Sequence, residues 1–117
     1  LFNMDHSIKI YALTGNWSIR AAGAVIAETR AALELVESHY PAIIYFPRND
    51  IAMAFLDYTD KTSHCTHKGY ARYFSIITKN EPIENVAWTY ESPNIEMAMI
   101  KDHLAFYPND KITIEHL

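Results

Sequence analysis

The chain has 117 residues, of which 50% are hydrophobic and 21% are charged, which predicts a single globular domain over residues 1–117. Its formal net charge is -4 and it has no dense cluster of lysine and arginine, so a nucleic-acid partner is not expected. No apolar run approaches the roughly 20 residues of a membrane-spanning helix, so a membrane partner is not expected either.

The cysteine content and the start of the chain predict a cytoplasmic location. Cys65 is the single cysteine, so an internal disulfide is impossible, and the chain opens without the basic and apolar stretch of a secretory signal. Met4 is a candidate natural start, which would make residues 1–3 an added remnant. The sequence carries no signal for an oligomeric state.

The N-terminal part of the chain is predicted to form antiparallel sheet. Residues 7–11 alternate between apolar and polar side chains, which is the period of a half-buried strand. The same kind of pattern indicates strands at residues 17–21 and 24–27, and Ala22-Gly23 between them reads as a turn. A β-meander is therefore the simplest interpretation of this part.

The next two segments differ in how clearly they can be interpreted. Residues 29–37 fit both a helix face and a strand face, and we interpret them as one helical turn at residues 30–32 followed by a strand. Residues 42–46 are nearly all apolar, which predicts a short strand buried on both faces. Pro47 is expected to end that strand, because it lacks a backbone donor.

A short helix is predicted near residues 51–56. Asp50 can accept hydrogen bonds from the free amide hydrogens of its first turn, and apolar residues follow at helical spacing. Residues 57–67 are polar and are interpreted as an ordered loop. Residues 70–78 and 83–90 then predict a long hairpin at the centre of the sheet.

A second helix is predicted near residues 93–102 in the C-terminal half. Ser92 can cap this helix, and Pro93 suits its first turn. Strands at residues 104–107 and 111–115 close the chain. The expected fold class is therefore α+β and predominantly antiparallel β, with one short helix near residues 51–56 and one helix near residues 93–102.

Reactive and charged side chains are concentrated between residues 45 and 73, framed by aromatic residues, as in the wall of a pocket. The first hypothesis is therefore a small-molecule pocket, in which Arg48 and Lys68 bind an anionic group and aromatic residues cover a planar part. The candidate ligand-binding residues are Tyr45, Arg48, Lys68, Tyr73, Trp88 and Tyr90, and the candidate catalytic residues are Asp50 and Cys65.

Each candidate also has a structural interpretation. Arg48 can pair with Asp50 while Asp50 caps the helix. Cys65 can be a reactive thiol close to basic residues or a buried inert one, and His64 next to it on an extended chain points away. The aromatic residues can equally be core or cross-strand packing.

Four ordered blocks of the sequence carry a family resemblance: Tyr45-Phe46-Pro47-Arg48-x-Asp50-Ile51, Thr62-x-x-Cys65-x-x-Lys68-Gly69, Glu84-Asn85-x-Ala87-Trp88-x-Tyr90 and Leu104-Ala105-Phe106-Tyr107. Together they resemble the domain of unknown function 427 family, and the similarity runs from about Asp5 to the C-terminus. The resemblance implies a small β-rich protein of β-tent-like fold with no established activity. Some members of that family carry an automatic nucleotidyltransferase label.

The residues of this chain do not support nucleotidyl transfer. That chemistry usually needs a Gly-Ser element and two or three close carboxylates that hold magnesium, whereas this chain offers Asp57 and Asp60 without such an element. A zinc site is not expected, because a single thiol lies beside His64 and His67 and structural zinc sites use paired ligands. We therefore expect no metal and no cofactor.

The alternative hypothesis is a β-tent protein-interaction module without catalytic activity, in which the same residues hold the segment 62–69 in place. The two hypotheses differ in geometry. Convergence of Arg48 and Lys68 on one cavity favours the pocket, whereas engagement of Arg48 with Asp50 favours the interaction module.

Overall fold

The computed structural model describes residues 7–117, and the candidate start at Met4 and the remnant at residues 1–3 lie outside the described residues. Within residues 7–117, ten strands form two antiparallel sheets. The strands are β1 (Ile8–Ala12), β2 (Trp17–Ala21), β3 (Ala24–Thr29), β4 (Leu33–Glu37), β5 (Ile43–Pro47), β6 (Leu56–Cys65), β7 (Gly69–Ile76), β8 (Ile83–Thr89), β9 (His103–Phe106) and β10 (Ile112–His116).

The larger sheet has seven strands in the order β1-β4-β5-β9-β8-β7-β6, and the smaller has three in the order β10-β2-β3. All neighbouring strands are antiparallel, so the prediction of a mostly antiparallel β fold is confirmed. The predicted hairpin of β7 and β8 lies inside the larger sheet, where β7 also pairs with β6.

The larger sheet has a core cluster on each face. Because successive side chains of a strand point to opposite sides, Tyr73 and Phe74 on β7 lie on opposite faces. Phe46 packs with Phe74 in a cluster that includes side chains of the three-stranded sheet. Tyr45 and Trp88 pack with Tyr73 in the second cluster. We call these the Phe74 face and the Tyr73 face, and the three-stranded sheet covers the Phe74 face.

The helix predicted near residues 51–56 is wrong. The chain instead makes two separate 3-10 turns, at Arg48–Asp50 and Met53–Phe55. Between them Ile51 is extended, with φ -114 and ψ 137, and it forms an isolated antiparallel bridge with Ala27 of β3. This bridge joins the two sheets. Because Ile51 is extended, residues 51–56 cannot form a continuous helix.

The helix predicted near residues 93–102 is also wrong in type and length. The segment Ile95–Ile100 is a 3-10 helix with a kink at Met97, where φ is -108 and ψ is 19. Met97 and Ile100 are its buried residues, and a spacing of three matches the three residues per turn of a 3-10 helix. Ile95 and Met99 of the same segment are exposed, at 86% and 53%.

Two further local predictions are corrected. Residues 57–67 do not form a loop, because β6 runs through most of them and pairs with β7. This strand lies at the edge of the sheet and is mostly exposed, which explains why its sequence lacks the apolar alternation of a half-buried strand. Residues 30–32 contain no helical turn and simply connect β3 to β4.

The β2–β3 hairpin turns through Ala22 and Gly23, whose φ angles are 50 and 83. Positive φ at both central residues is the type I′ pattern, which strongly prefers Asn-Gly and disfavours a residue such as alanine at the first position. We expect Ala22→Asn to raise the free energy of unfolding by about 0.5–1 kcal/mol in urea denaturation. Ala24→Asn, one step into β3, is the matched control, and an equal gain in both variants would contradict this explanation.

Candidate functional site

The Tyr73 face carries a cavity of about 280 Å³. It is reached by side chains from β4, β5, β7 and β8 and from the turn that connects β6 to β7. The lining residues are Leu35, Glu37, Tyr40, Pro41, Ile43, Tyr45, Lys68, Tyr73, Trp88, Tyr90 and Tyr107. The wall is therefore mostly aromatic, with one cation and one carboxylate.

Strand register brings the central aromatic residues of this wall together. Tyr73 lies opposite Trp88, Trp88 opposite Ala105, and Ala105 opposite Tyr45, on four adjacent strands. Directly opposed residues point to the same face of a sheet, so all four side chains lie on the Tyr73 face. The small side chain of Ala105 separates the two larger rings, and Trp88 Nε1 donates a hydrogen bond of 3.4 Å to the Tyr45 hydroxyl.

The buried phenols of the wall stay protonated. Burial raises the pKa of Tyr45 above its usual value, against a smaller opposing effect of the hydrogen bond from Trp88, and the Cys65 and Glu37 charges raise it further. Burial is also the main reason why the pKa of Tyr90 is raised. Both hydroxyls therefore keep a proton that they can donate in a hydrogen bond.

The Tyr90 hydroxyl has fewer hydrogen bonds than the Tyr45 and Tyr73 hydroxyls of the same wall. It is 7% exposed, and no hydrogen bond joins its hydroxyl to any of residues 7–117. Its oxygen is not fully enclosed, because every fully buried side-chain N or O atom of residues 7–117 has a partner, and an accessible donor that lines a cavity is a candidate contact for a ligand. Tyr73, by comparison, has its hydroxyl 2.9 Å from Ser63 Oγ.

A buried ion pair completes the wall. Lys68 Nζ lies 2.7 Å from Glu37 Oε1, and the two side chains are 10% and 14% exposed. The backbone of Lys68 is held on both sides, because its N–H donates to Cys65 and its carbonyl accepts from Asn94. Removing two charges from water is costly, so a buried pair is weak evidence for stability and a reason to consider function.

Cys65, at the end of β6, is partly buried and lies behind this lysine. Its sulfur is 3.7 Å from Lys68 Nζ, and it contacts Lys68 rather than lining the cavity. The ring of His64 stacks obliquely on Tyr70 with centroids 4.5 Å apart. His64 is thus directed away from the thiol, as the alternation of an extended strand predicted.

Arg48 lies on the opposite side of the sheet. Its guanidinium carbon is 5.5 Å from the centroid of the Phe74 ring, and Nη2 donates a hydrogen bond of 3.2 Å to the Tyr58 hydroxyl. Glu91 is a second partner, 3.5 Å from Nη1. The hydrogen bond with Tyr58 raises the pKa of Arg48. The expected convergence of Arg48 and Lys68 on one cavity is therefore wrong.

Asp50 takes part neither in the cavity wall on the Tyr73 face nor in the contacts of Arg48. Its carboxylate accepts a hydrogen bond of 2.7 Å from the Thr29 hydroxyl, and it does not cap a helix. Within residues 7–117 there is no ion pair between Arg48 and Asp50, so that expected pair is also wrong. The arrangement ties the end of β3 to the turn after β5.

The structure adds six residues to the wall that sequence reasoning did not select, namely Leu35, Glu37, Tyr40, Pro41, Ile43 and Tyr107. Tyr107 ends the last of the four blocks that carry the family resemblance, which is the signal that could have found it. Glu37 had no such signal, because only the pairing of β4 with β5 brings the end of β4 toward the cavity.

Residues 7–117 contain neither a group of side chains suited to a metal ion nor a helix suited to a membrane. No group of three or more His, Cys, Asp and Glu side chains there could hold a metal ion. No helix in the same part is long and apolar enough to span a membrane.

Comparison with protein-family models gives a match over most of the chain. A family model described as Domain of unknown function (DUF427) matches residues 9–116. That range contains all four sequence blocks, the residues of the cavity wall, and Arg48 with its contacts Tyr58, Phe74 and Glu91. A search of curated proteins finds no match.

Proposed function

The chain belongs to the DUF427 family, as its sequence blocks predicted, and on that premise we propose that it binds a small planar molecule in the cavity on the Tyr73 face. The observation that carries this proposal is the combination of a mostly aromatic cavity, a buried ion pair in its wall and a Tyr90 hydroxyl that has no partner among residues 7–117.

The aromatic wall supports a planar ligand. Aromatic rings bind flat molecules by stacking or edge contacts, and ligand pockets combine such surfaces with a few placed polar groups. A volume of about 280 Å³ is at the lower end for ligand pockets, which favours a molecule with one ring.

The polar groups of the wall favour a ligand with hydrogen-bond acceptors. Tyr45 accepts from Trp88 and keeps its own proton to donate, and Tyr90 has its proton available as well. The charges of Lys68 and Glu37 cancel, so the cavity offers no net charge to a strongly anionic ligand. A neutral or weakly charged molecule therefore fits better than the anion expected from Arg48 and Lys68 together.

The alternative proposal is a β-tent protein-interaction module without catalytic activity. Exposed apolar side chains support it, among them Ile95 at 86%, Tyr70 at 71% and Tyr40 at 65% exposure. Single exposed apolar residues are common on protein surfaces, however, and carry less information than a cavity with a buried ion pair.

A thermal-shift screen tests the binding proposal. The wild type is screened against a panel of one-ring aromatic amides, phenols and carboxylic acids, and the response is compared with that of Tyr90→Phe and Arg48→Ala. Tyr90→Phe removes one hydroxyl from the cavity, so we expect it to weaken the Kd of a hit about 5-fold to 10-fold, the effect of one hydrogen bond.

Arg48→Ala is the control for this screen, because Arg48 lies on the Phe74 face. It is expected to leave the Kd unchanged. A wild type that responds to no compound would contradict the proposal. So would a hit whose binding requires Arg48 and is indifferent to Tyr90.

A further inference from the structure

The Lys68 amine is placed as a nucleophile rather than as a surface charge. Lys68 is the only buried lysine of residues 7–117, at 8% exposure, and its Nζ lies in the cavity wall. We propose that Lys68 captures an aldehyde or ketone group of the bound ligand as an imine. This inference rests on the proposed function and deepens it, because it names the chemical class of the ligand.

The environment of Lys68 suits this chemistry. A desolvated lysine amine is the group that proteins use to form Schiff bases with carbonyl compounds. Glu37 Oε1, 2.7 Å from Nζ, is in position to take the proton that must leave before the nitrogen can react.

The reaction balances with these two residues alone. Glu37 takes a proton from the Lys68 ammonium, and the nitrogen lone pair attacks the carbonyl carbon while the carbonyl electron pair moves to oxygen. Glu37 passes its proton to that oxygen and takes a second proton from the nitrogen, which gives a neutral carbinolamine. It then protonates the hydroxyl, water leaves, and the nitrogen lone pair forms the protonated imine. The carboxylate of Glu37 is regenerated, and one water is released.

Imine formation also needs a hydrogen-bond donor for the carbonyl oxygen of the ligand, and the Tyr90 hydroxyl can supply it. The Tyr90 hydroxyl lines the same cavity and has no partner among the described residues. A hydrogen bond from it polarises the carbonyl and stabilises the oxygen as negative charge develops.

Reductive trapping tests the inference. The full chain is incubated at neutral pH with 4-hydroxybenzaldehyde and sodium cyanoborohydride, which reduces an imine to a stable secondary amine. Intact mass and peptide mapping then count and locate the 4-hydroxybenzyl groups. We expect one group per chain on Lys68, formed about 10-fold or more faster than on exposed Lys101, since proton transfer by a placed carboxylate accelerates such steps by at least that factor.

Three variants sharpen this experiment. Lys68→Arg keeps a cation beside Glu37 and is expected to abolish the cavity label, because a guanidinium does not form the imine. Glu37→Gln is expected to slow labelling of Lys68 about 10-fold or more. Arg48→Ala, on the other face, should label as the wild type does. Peptide mapping of the wild type decides the matter even if a variant folds poorly: a label spread over exposed lysines without enrichment at Lys68 overturns the inference.

A carbonyl-free analogue separates this inference from the proposed function. The amide 4-hydroxybenzamide has the same ring and hydroxyl but does not form an imine. If it raises the Tm of the wild type more than that of Tyr90→Phe while Lys68 stays unlabelled by the aldehyde, the imine is overturned and the binding site stands. If neither compound binds or labels, both proposals fail.

Discussion

Replacing Lys68 with methionine is expected to lower the free energy of unfolding by about 3 kcal/mol. Methionine fills a similar volume, but Glu37 then keeps a largely buried carboxylate without the ammonium 2.7 Å away. Losing the cation of a buried pair removes a close charge-assisted hydrogen bond from the remaining carboxylate, which is among the more costly single changes in a protein. Urea denaturation at pH 7 measures the loss.

Two further variants control for this interpretation. The double variant Lys68→Met/Glu37→Gln removes both charges and is expected to regain about 1–2 kcal/mol of the loss, because the desolvation of the carboxylate is removed. Lys79→Met, at an exposed position in the β7–β8 connection, should change stability by less than about 0.5 kcal/mol. If Lys68→Met were as stable as Lys79→Met, the claim that Lys68 and Glu37 form a buried ion pair would be contradicted.

The stability of the protein is expected to fall steeply as the pH rises above about 10. Burial raises the pKa of Tyr45 above 10 in the folded protein, so the folded state keeps a proton that the unfolded chain releases. The resulting stabilisation is complete below pH 10 and is lost as the pH rises toward the folded-state pKa. Across that interval the titration of Tyr45 alone lowers the free energy of unfolding by about 1.4 kcal/mol per pH unit.

Urea denaturation at several pH values between 9 and about 11.5 measures this slope. Tyr45→Phe removes the ionisable hydroxyl and is expected to flatten the slope by about that amount, whereas Tyr11→Phe, at a tyrosine 49% exposed, should not. Equal slopes in the wild type and Tyr45→Phe would contradict the protonated, buried phenol that the site requires.

The strands of this fold could be predicted from the sequence because most of them alternate or are continuously apolar. The strand β2 was found with its observed bounds, and the partners β7 and β8 were found within two residues. The exception was β6, which lies at the sheet edge and has almost no buried side chain to give it a period. The helix predicted near residues 51–56 is absent because Ile51 pairs with β3, a contact between distant residues that no local pattern encodes.

The candidate site was predictable in part for the same reason. Trp88 and Tyr90 are two residues apart, and Tyr73 faces Trp88 across a hairpin, so alternation and register already placed these rings together. Arg48 lies beyond the end of β5, in the 3-10 turn Arg48–Asp50, so strand alternation could not place it relative to Tyr45.

The remaining placements depend on the order of the strands. Glu37 reaches Lys68 only because β4 joins the sheet beside β5, while the β6–β7 turn carries Lys68 to the same face. Contacts between strands that are distant in sequence are set by the packing of the whole sheet, and one sequence contains no local signal for them.

The two tryptophans provide the most direct measurement of ligand binding on the Tyr73 face. The Trp88 indole lies in the cavity wall and donates to Tyr45, whereas the Trp17 indole donates to the Thr14 carbonyl and stacks on His116 in the three-stranded sheet. Titration of the ¹⁵N-labelled protein with 4-hydroxybenzamide is followed in its two indole N–H resonances. Binding in the cavity predicts a saturating shift of the Trp88 resonance with the Trp17 resonance unmoved. A Trp88 resonance that stays in place throughout the titration, or a shift confined to Trp17, would contradict it.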